Sequence, residues 1–217
     1  MLTAVLCATA AALASTAAPR LSADVVPLAS EWAVVDRVPM ELHRYHSRLA
    51  PGAVLALWAD SSAAPAPAPR DLPGGWRVAS RLRGALQETL QARPDGAGGS
   101  EVILSRVDLL APPARALPLP FALPAGGALL RTVELADPAG RGHQFIIALP
   151  GAPARALAQL CPRLLDRGWH PVGAHGCDGA GGATSQWFLR GAEMLGIDLR
   201  PSGAHTRAVI GHVVRQP

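Results

Sequence analysis

The stretch LLRTVELADPAGRGHQFIIAL, residues 129–149, decides the predicted fold because it repeats an order of signals found earlier in the chain. Two apolar, β-rich runs flank the turn-forming residues 137–140, a pattern that predicts a β-hairpin. The earlier stretch WAVVDRVPMELHRY, residues 32–45, places two similar runs around Asp36 and Arg37. Two hairpins at the start of corresponding segments suggest that the chain contains one unit twice.

The signals that follow each hairpin come in the same order. A Pro/Gly start and an apolar pattern predict a helix within LAPGAVLALWAD in the first copy and within PGAPARALAQLCPRLLDRG in the second. After each helix come a Gly-Trp pair (Gly75-Trp76 and Gly168-Trp169), a run that ends in Arg-Pro, and a final β-rich run. Each copy therefore predicts the order strand, strand, helix, strand, strand, strand. A repeat of about a hundred residues indicates a duplicated domain rather than a solenoid.

We therefore expect an α+β fold made of two tandem similar modules, each an antiparallel β-sheet in ββαβββ order covered by one helix. The modules are predicted over residues 25–110 and 128–215, joined by a Pro/Ala-rich linker at residues 111–127, where proline disfavours helices and central strands. Trp76 and Trp169 are expected to anchor each helix to its sheet. The apolar stripe of the second helix is expected to consist of Leu157, Leu160, Cys161, Leu164 and Leu165.

Residues 1–18 have the features of a signal peptide, because an apolar, alanine-rich run contains the small-residue pattern Ala12-Leu13-Ala14. The expected localisation is therefore periplasmic or secreted. No other run is long enough to cross a bilayer, so no membrane span is expected after removal of the leader. Cys161 and Cys177 would remain, and a cysteine pair in an oxidising compartment predicts a disulfide.

The charged residues argue against a nucleic-acid partner. The chain has a net charge of +4, but its arginines are interspersed with acidic residues. The sequence contains neither a basic run nor the arginine and aromatic platform that single-strand binders use. We therefore expect a protein partner rather than nucleic acid.

The segment GWHPVGAHGCDG holds the residue types of a metal or reactive site, namely His170, His175, Cys177 and Asp178. Structural zinc sites usually have four ligands in C-x2–4-C or H-x3–5-H pairs, and only the two histidines meet such a spacing. We therefore expect no metal and no cofactor. A metal- or thiol-dependent protein or enzyme with its site in the loop at residues 170–178 remains the alternative.

Motifs for catalysis are missing from the sequence. It contains no G-x-S-x-G, H-E-x-x-H, P-loop or G-x-G-x-x-G pattern. Glu41, His43 and Tyr45 share one face of a predicted strand, which a solvated sheet face accounts for as well as a polar site does. No catalytic residue is predicted, and the protein is not expected to be an enzyme.

These observations favour a non-catalytic exported binding or scaffolding protein, accessory to an envelope secretion, pilus or surface-assembly system. The expected partner is another envelope protein, which could add a strand to an exposed sheet edge. A second alternative is a small-ligand or glycan binder that uses Trp32, Trp58 or Trp187, the tryptophans outside the Gly-Trp pairs.

Overall fold

Both quoted stretches fold as β-hairpins in the computed structural model of the chain, which describes residue 19 and residues 21–61, 68–137, 140–173, 177 and 185–214. In the first hairpin, Asp36 and Arg37 have φ angles of 49° and 72°, the left-handed conformation that tight hairpin turns require. The strands and helices are β1 (Val25–Val35), β2 (Val38–Ser47), α1 (Pro51–Asp60), β3 (Arg70–Leu72), β4 (Trp76–Arg83), β5 (Leu86–Pro94), β6 (Ser100–Asp108), β7 (Ala128–Asp137), β8 (Gly140–Pro150), α2 (Pro153–Leu165), β9 (His170–Val172), β10 (Ser185–Arg190), β11 (Glu193–Ser202) and β12 (His205–Val214).

The twelve strands of the described residues belong to one antiparallel sheet in the order β3-β4-β5-β6-β2-β1-β7-β8-β12-β11-β10-β9. From the β1–β7 pair outward, the strands follow in the order β1, β2, β6, β5, β4, β3 in one direction and β7, β8, β12, β11, β10, β9 in the other. The two directions therefore have the same connectivity. We call β1 to β6 with α1 the first half, and β7 to β12 with α2 the second half.

The prediction of two separate α+β modules is wrong. β1 and β7 pair antiparallel, Trp32–Val35 with Val133–Ala136, and this pairing merges the halves into one mostly β structure. Each half also has six strands where five were predicted. The strand predicted at Gly75-Trp76 is β4, so β3 is the additional strand of the first half, whereas the strand predicted at Gly168-Trp169 is β9, so β10 is the additional strand of the second half. The physical reason is that β1 and β7 would otherwise expose unpaired backbone groups along their whole length.

Both helices cover the same face of this sheet. Residues that lie opposite each other on neighbouring antiparallel strands share a face. One such cross-strand row consists of Pro39, Val34, Glu134 and His143. Alternation along β2 and β8 puts Tyr45 and Phe145 on the side of this row, and these two residues pack in the cores beneath α1 and α2. We call this side the helix-bearing face and the opposite side the open face.

The predicted apolar stripe of α2 and the two predicted tryptophan anchors are only partly confirmed by the burial of these residues. Leu157, Leu160, Cys161 and Leu164 of α2 are buried, whereas Leu165 is 47% exposed and does not belong to the stripe. Trp169 is fully buried in the second core, as predicted. Trp76 is only partly buried, because it lies on the open face, and Trp58 of α1 fills the first core instead.

The residues between β6 and β7 contain no helix or strand, but they pack against the second half. Phe121 is buried in the core beneath α2, and Leu117, Leu119 and Leu123 pack beside it. The backbone of Ala114 is hydrogen bonded to the backbone of Arg37 in the β1–β2 turn (2.8 Å). No helix in the described part of the chain is long and apolar enough to span a membrane.

Candidate binding surface

The loop at residues 170–178 does not assemble a metal site in the described structure. His170 is exposed on β9, and the sulfur of Cys177 is bonded to Cys161, which withdraws it from metal binding. His175 and Asp178 lie outside the described residues. Within the ranges that the structure describes, no three His, Cys, Asp or Glu side chains are placed to hold a metal ion.

The cysteine pair fastens α2 to the chain beyond β9. The Cα atoms of Cys161 and Cys177 are 5.7 Å apart, within the range for a disulfide. Cys161 lies on the buried stripe of α2, so the bond holds residue 177 against the second core. A bonded cysteine pair is compatible with an extracellular location.

Glu41, His43 and Tyr45 do not lie on a solvated face. They point to the helix-bearing face, where His43 and Tyr45 are almost fully buried. His43 Nδ1 and Ser30 Oγ are 2.9 Å apart, and His43 Nε2 lies 3.4 Å from Glu41 Oε2. Arg106 Nη1 donates to the same Glu41 oxygen (3.1 Å). Burial raises the pKa of Tyr45 to about 12, so its hydroxyl stays protonated and donates to the Pro19 carbonyl (3.0 Å).

The polar cluster of the first half continues to the base of α1. Arg81 Nε donates to Glu88 Oε2 (2.8 Å), and both side chains are about 6% exposed. The Arg81 guanidinium lies 4.1 Å from the ring centroid of Trp58 and donates to the Trp58 carbonyl (2.8 Å). Arg81 binds Glu88 and the carbonyl of a residue in α1, so we interpret the cluster as structural.

A smaller polar cluster lies at the matching place in the second half. Glu193 accepts hydrogen bonds from Arg190 (2.9 Å) and lies 2.8 Å from His212 Nε2. The hydrogen bond from Arg190 is the main reason that the pKa of Glu193 lies below its ordinary value, and the contact with His212 acts in the same direction. Trp169 closes the cluster, with the Arg190 guanidinium 4.4 Å from its ring centroid.

The outer edges of the sheet are poor places for strand addition. Each described edge strand, β3 or β9, is three residues long. β9 also contains Pro171, which has no N–H to donate to a further strand. Short edge strands and prolines are devices that prevent unwanted pairing.

The middle of the sheet has the longest unpaired stretch among the described strands. β1 is eleven residues long, but only Trp32–Val35 pair with β7. No described strand pairs with residues 25–31 on the side away from β2, and we call this stretch the β1 half-edge. Val26 and Leu28 are 54% and 65% exposed there, and the register with β2 shifts around Leu28, which marks a β-bulge.

β7 has a corresponding half-edge at residues 128–131, again with a register shift, around the exposed residue Leu130. The β1–β2 turn ends the pairing here, because Asp36 N donates to the Thr132 carbonyl (2.9 Å) and Asp36 Oδ1 accepts from Thr132 N (2.8 Å). The turn and the start of β7 enclose a cavity of about 240 Å³. Its lining consists of Asp36, Arg37, Ala116, Leu117, Leu129, Leu130, Arg131 and Thr132.

The three tryptophans considered as ligand platforms lie in different surroundings. Trp58 is buried in the first core, which excludes it. Trp32 is partly buried on the helix-bearing face, beside Glu41 and Arg106 in a pocket of about 110 Å³. Trp187 is 50% exposed on the open face.

Comparison with protein-family models, with curated proteins and with solved structures gives no significant match for this chain. Its functional interpretation therefore depends on its own surfaces. The half-edges were not predictable from periodicity, because they arise from the offset between two strands about a hundred residues apart. The one local signal is Pro27 within a β-rich run, because proline in a strand is found at sheet edges and at bulges.

Proposed function

We propose that this protein is a non-catalytic exported binding or scaffolding protein that captures a strand of another envelope protein at the β1 half-edge. The observation that carries the proposal is that no described strand pairs with residues 25–31 on the side away from β2, where Val26 and Leu28 are exposed. An envelope secretion, pilus or surface-assembly system is the setting that we infer from the leader-like residues 1–18 and the cysteine pair.

The half-edge offers both backbone and side-chain contacts to a partner strand. Backbone groups two residues apart on a strand point to the same side, so Ser30 presents its N–H and C=O in the direction that Trp32 uses to pair with β7. Pro27 supplies no N–H, which confines full pairing to residues 28–31. Covering Val26 and Leu28 adds about 1 to 3 kcal/mol each at most, since both are already partly buried.

The bulge also favours a short partner segment over open-ended sheet growth. It interrupts a continuous ladder and changes the direction of the Leu28 side chain. A partner strand of about four residues with an apolar side chain opposite Leu28 matches this geometry. The non-catalytic part of the proposal rests on the lack of catalytic motifs in the sequence.

The test replaces Leu28 by glutamate and measures capture of the partner from an envelope extract of the source cells. Leu28→Glu is expected to lower capture about tenfold or more, because a charge at a buried contact opposes binding. Leu130→Glu, at the bulge of the β7 half-edge, and Leu110→Glu, at an 82% exposed site outside the sheet, are the matched controls. Unchanged far-ultraviolet circular dichroism shows that each variant folds.

Two results would contradict the proposal. One is partner capture by Leu28→Glu at the wild-type level. The other is an equal loss in all three variants, which would indicate a general effect of added charge. A photo-crosslinking residue at position 28 provides the direct readout, since strand addition there predicts an adduct that the same residue at position 110 does not form.

A further inference from the structure

We infer that the open face carries a second binding site, a platform for an uncharged pyranose chain at Trp187. Trp187 lies between Gln186 and Phe188, which are buried on the helix-bearing face, so its side chain is on the open face. A Cβ atom added at Gly196, the residue opposite on β11, would lie 2.6 to 2.9 Å from three atoms of the indole ring. The indole ring therefore packs against the Gly196 backbone, while half of Trp187 remains exposed to solvent.

Glycines on the strands beside this ring leave the sheet backbone uncovered by side chains. Gly211 of β12 lies opposite Gly196, and Gly142 of β8 lies two residue pairs further along β12, opposite Val213. A Cβ atom added at Gly211 or Gly142 would meet nothing within 4 Å. Gly211 and Gly142, on two neighbouring strands, thus leave a shallow trough next to the tryptophan ring that covers Gly196.

Polar groups stand at the side of the trough. Gln144 lies opposite Gly211 and is exposed, with an amide that both donates and accepts hydrogen bonds. Asp198, two residues along β11 from Gly196, binds Arg200 (3.0 Å). Arg207 lies opposite Arg200 on β12, but the residues of the trough itself, Gly211, Gly142 and Gln144, are uncharged, which favours an uncharged ligand over an ionic one.

A pyranose ring combines the properties that this surface fits. Its axial C–H groups form an apolar face that stacks on an aromatic ring, and its equatorial hydroxyl groups hydrogen bond to side chains at the rim. A tryptophan that anchors a protein interface contributes most when its partner encloses it in a well-packed pocket. Trp187 lies beside a shallow strip of exposed glycine backbone and the exposed Gln144 amide, which match the apolar face and the hydroxyl groups of a sugar chain, so we favour a sugar over a protein surface.

This site is distinct from the proposed strand-binding site. Five strand spacings separate β1 from β10 in the sheet, which corresponds to about 24 Å. The inference therefore does not depend on the proposed function, and a scaffold could hold a glycan at one place and a protein strand at the other.

The first half supplies a matched control. Trp76 of β4 also lies on the open face, but the Arg93 guanidinium covers it, 4.6 Å from the ring centroid. The residue beside Trp76 on the next strand is thus an arginine, whereas the residue beside Trp187 on the next strand is Gly196. Trp76 is expected to contribute nothing to sugar binding.

The experiment is isothermal titration of the whole protein with cellohexaose and, separately, chitohexaose, which distinguish a glucose chain from an N-acetylglucosamine chain. We expect at least one to bind. Trp187→Ala should lower the affinity about tenfold or more, the scale of a tryptophan hot spot, while Trp76→Ala leaves it unchanged. Trp187→Phe should keep the affinity within about threefold, because it preserves an aromatic face.

Gly211→Val supplies an independent variant. Its side chain enters open space without backbone strain, so the fold should be kept while the trough is filled, and the affinity should fall about tenfold as well. The inference is overturned if neither hexasaccharide binds at millimolar concentration, or if Trp187→Ala binds as the wild type does. It is also overturned if Trp187→Ala abolishes capture of the protein partner, because the ring would then belong to a protein interface.

Discussion

The two halves of the sheet hold their helices by different contacts, although each half contains an apolar core and a polar cluster. In the first half, Trp58 of α1 stacks on Arg81, and Arg81 is paired with Glu88 beneath the helix. In the second half, α2 rests on an apolar surface through Leu157 and Leu160, with the disulfide of Cys161 at its side. The connectivity is nevertheless the same in both halves.

The difference shows which features of this architecture depend on particular side chains. Burial of a charge pair loses hydration free energy that the ion contact only partly restores, so such a pair contributes little net stability. Apolar packing and a disulfide both stabilise the folded state directly. The connectivity of the strands is the same whether an ion pair or a disulfide lies beside the helix. This indicates that strand order and alternation determine the architecture.

The largest effect is expected from breaking the ion pair of the first half. Arg81→Met leaves Glu88 buried without its closest partner and should lower the free energy of unfolding by about 4 kcal/mol. The double variant Arg81→Met/Glu88→Leu should recover much of this loss, because no uncompensated charge remains. Urea unfolding of both variants measures the effect. A single variant no less stable than the double variant would contradict a structural role for the pair.

A smaller effect is expected from removing the disulfide of the second half. The bond closes a loop with a sequence separation of 16, and its loss should lower the free energy of unfolding by about 3 kcal/mol in the chain-entropy model. Cys161→Ala/Cys177→Ala is compared with the wild type in the presence of reductant, which separates the lost bond from lost packing. Equal thermal stability of the oxidised and reduced wild type would refute the contribution of the bond.

The sequence predicted the local elements of this fold better than their assembly. Both hairpins, both helices and the buried stripe from Leu157 to Leu164 follow from turn residues and periodicity, which act over a few positions. The pairing of β1 with β7 does not, because backbone pairing between segments about a hundred residues apart leaves no periodic signal in either segment. The duplication itself stays a prediction, supported by ordered motifs and matching connectivity.

The sequence predicted which residues of the candidate sites share a face of a strand, but not whether that face is buried or exposed. Alternation assigned Glu41, His43 and Tyr45 to one face of β2, but the register with β1 and β6 was needed to show that this face lies under the polar cluster rather than in solvent. Trp187 was one of three equal candidates, since burial in a core depends on tertiary packing. The half-edge depends on a strand offset that no local pattern encodes.

The central claim is that the halves share one sheet through four residue pairs and leave the β1 half-edge open. Residue-resolved amide hydrogen exchange of the full chain tests it most directly. We predict strong protection of the Trp32–Val35 amides that point to β7, and exchange at least about a hundredfold faster for the residue 26–31 amides that point away from β2. Uniform protection along β1 would show that the edge is covered, and unprotected amides at Trp32–Val35 would show that the halves do not pair.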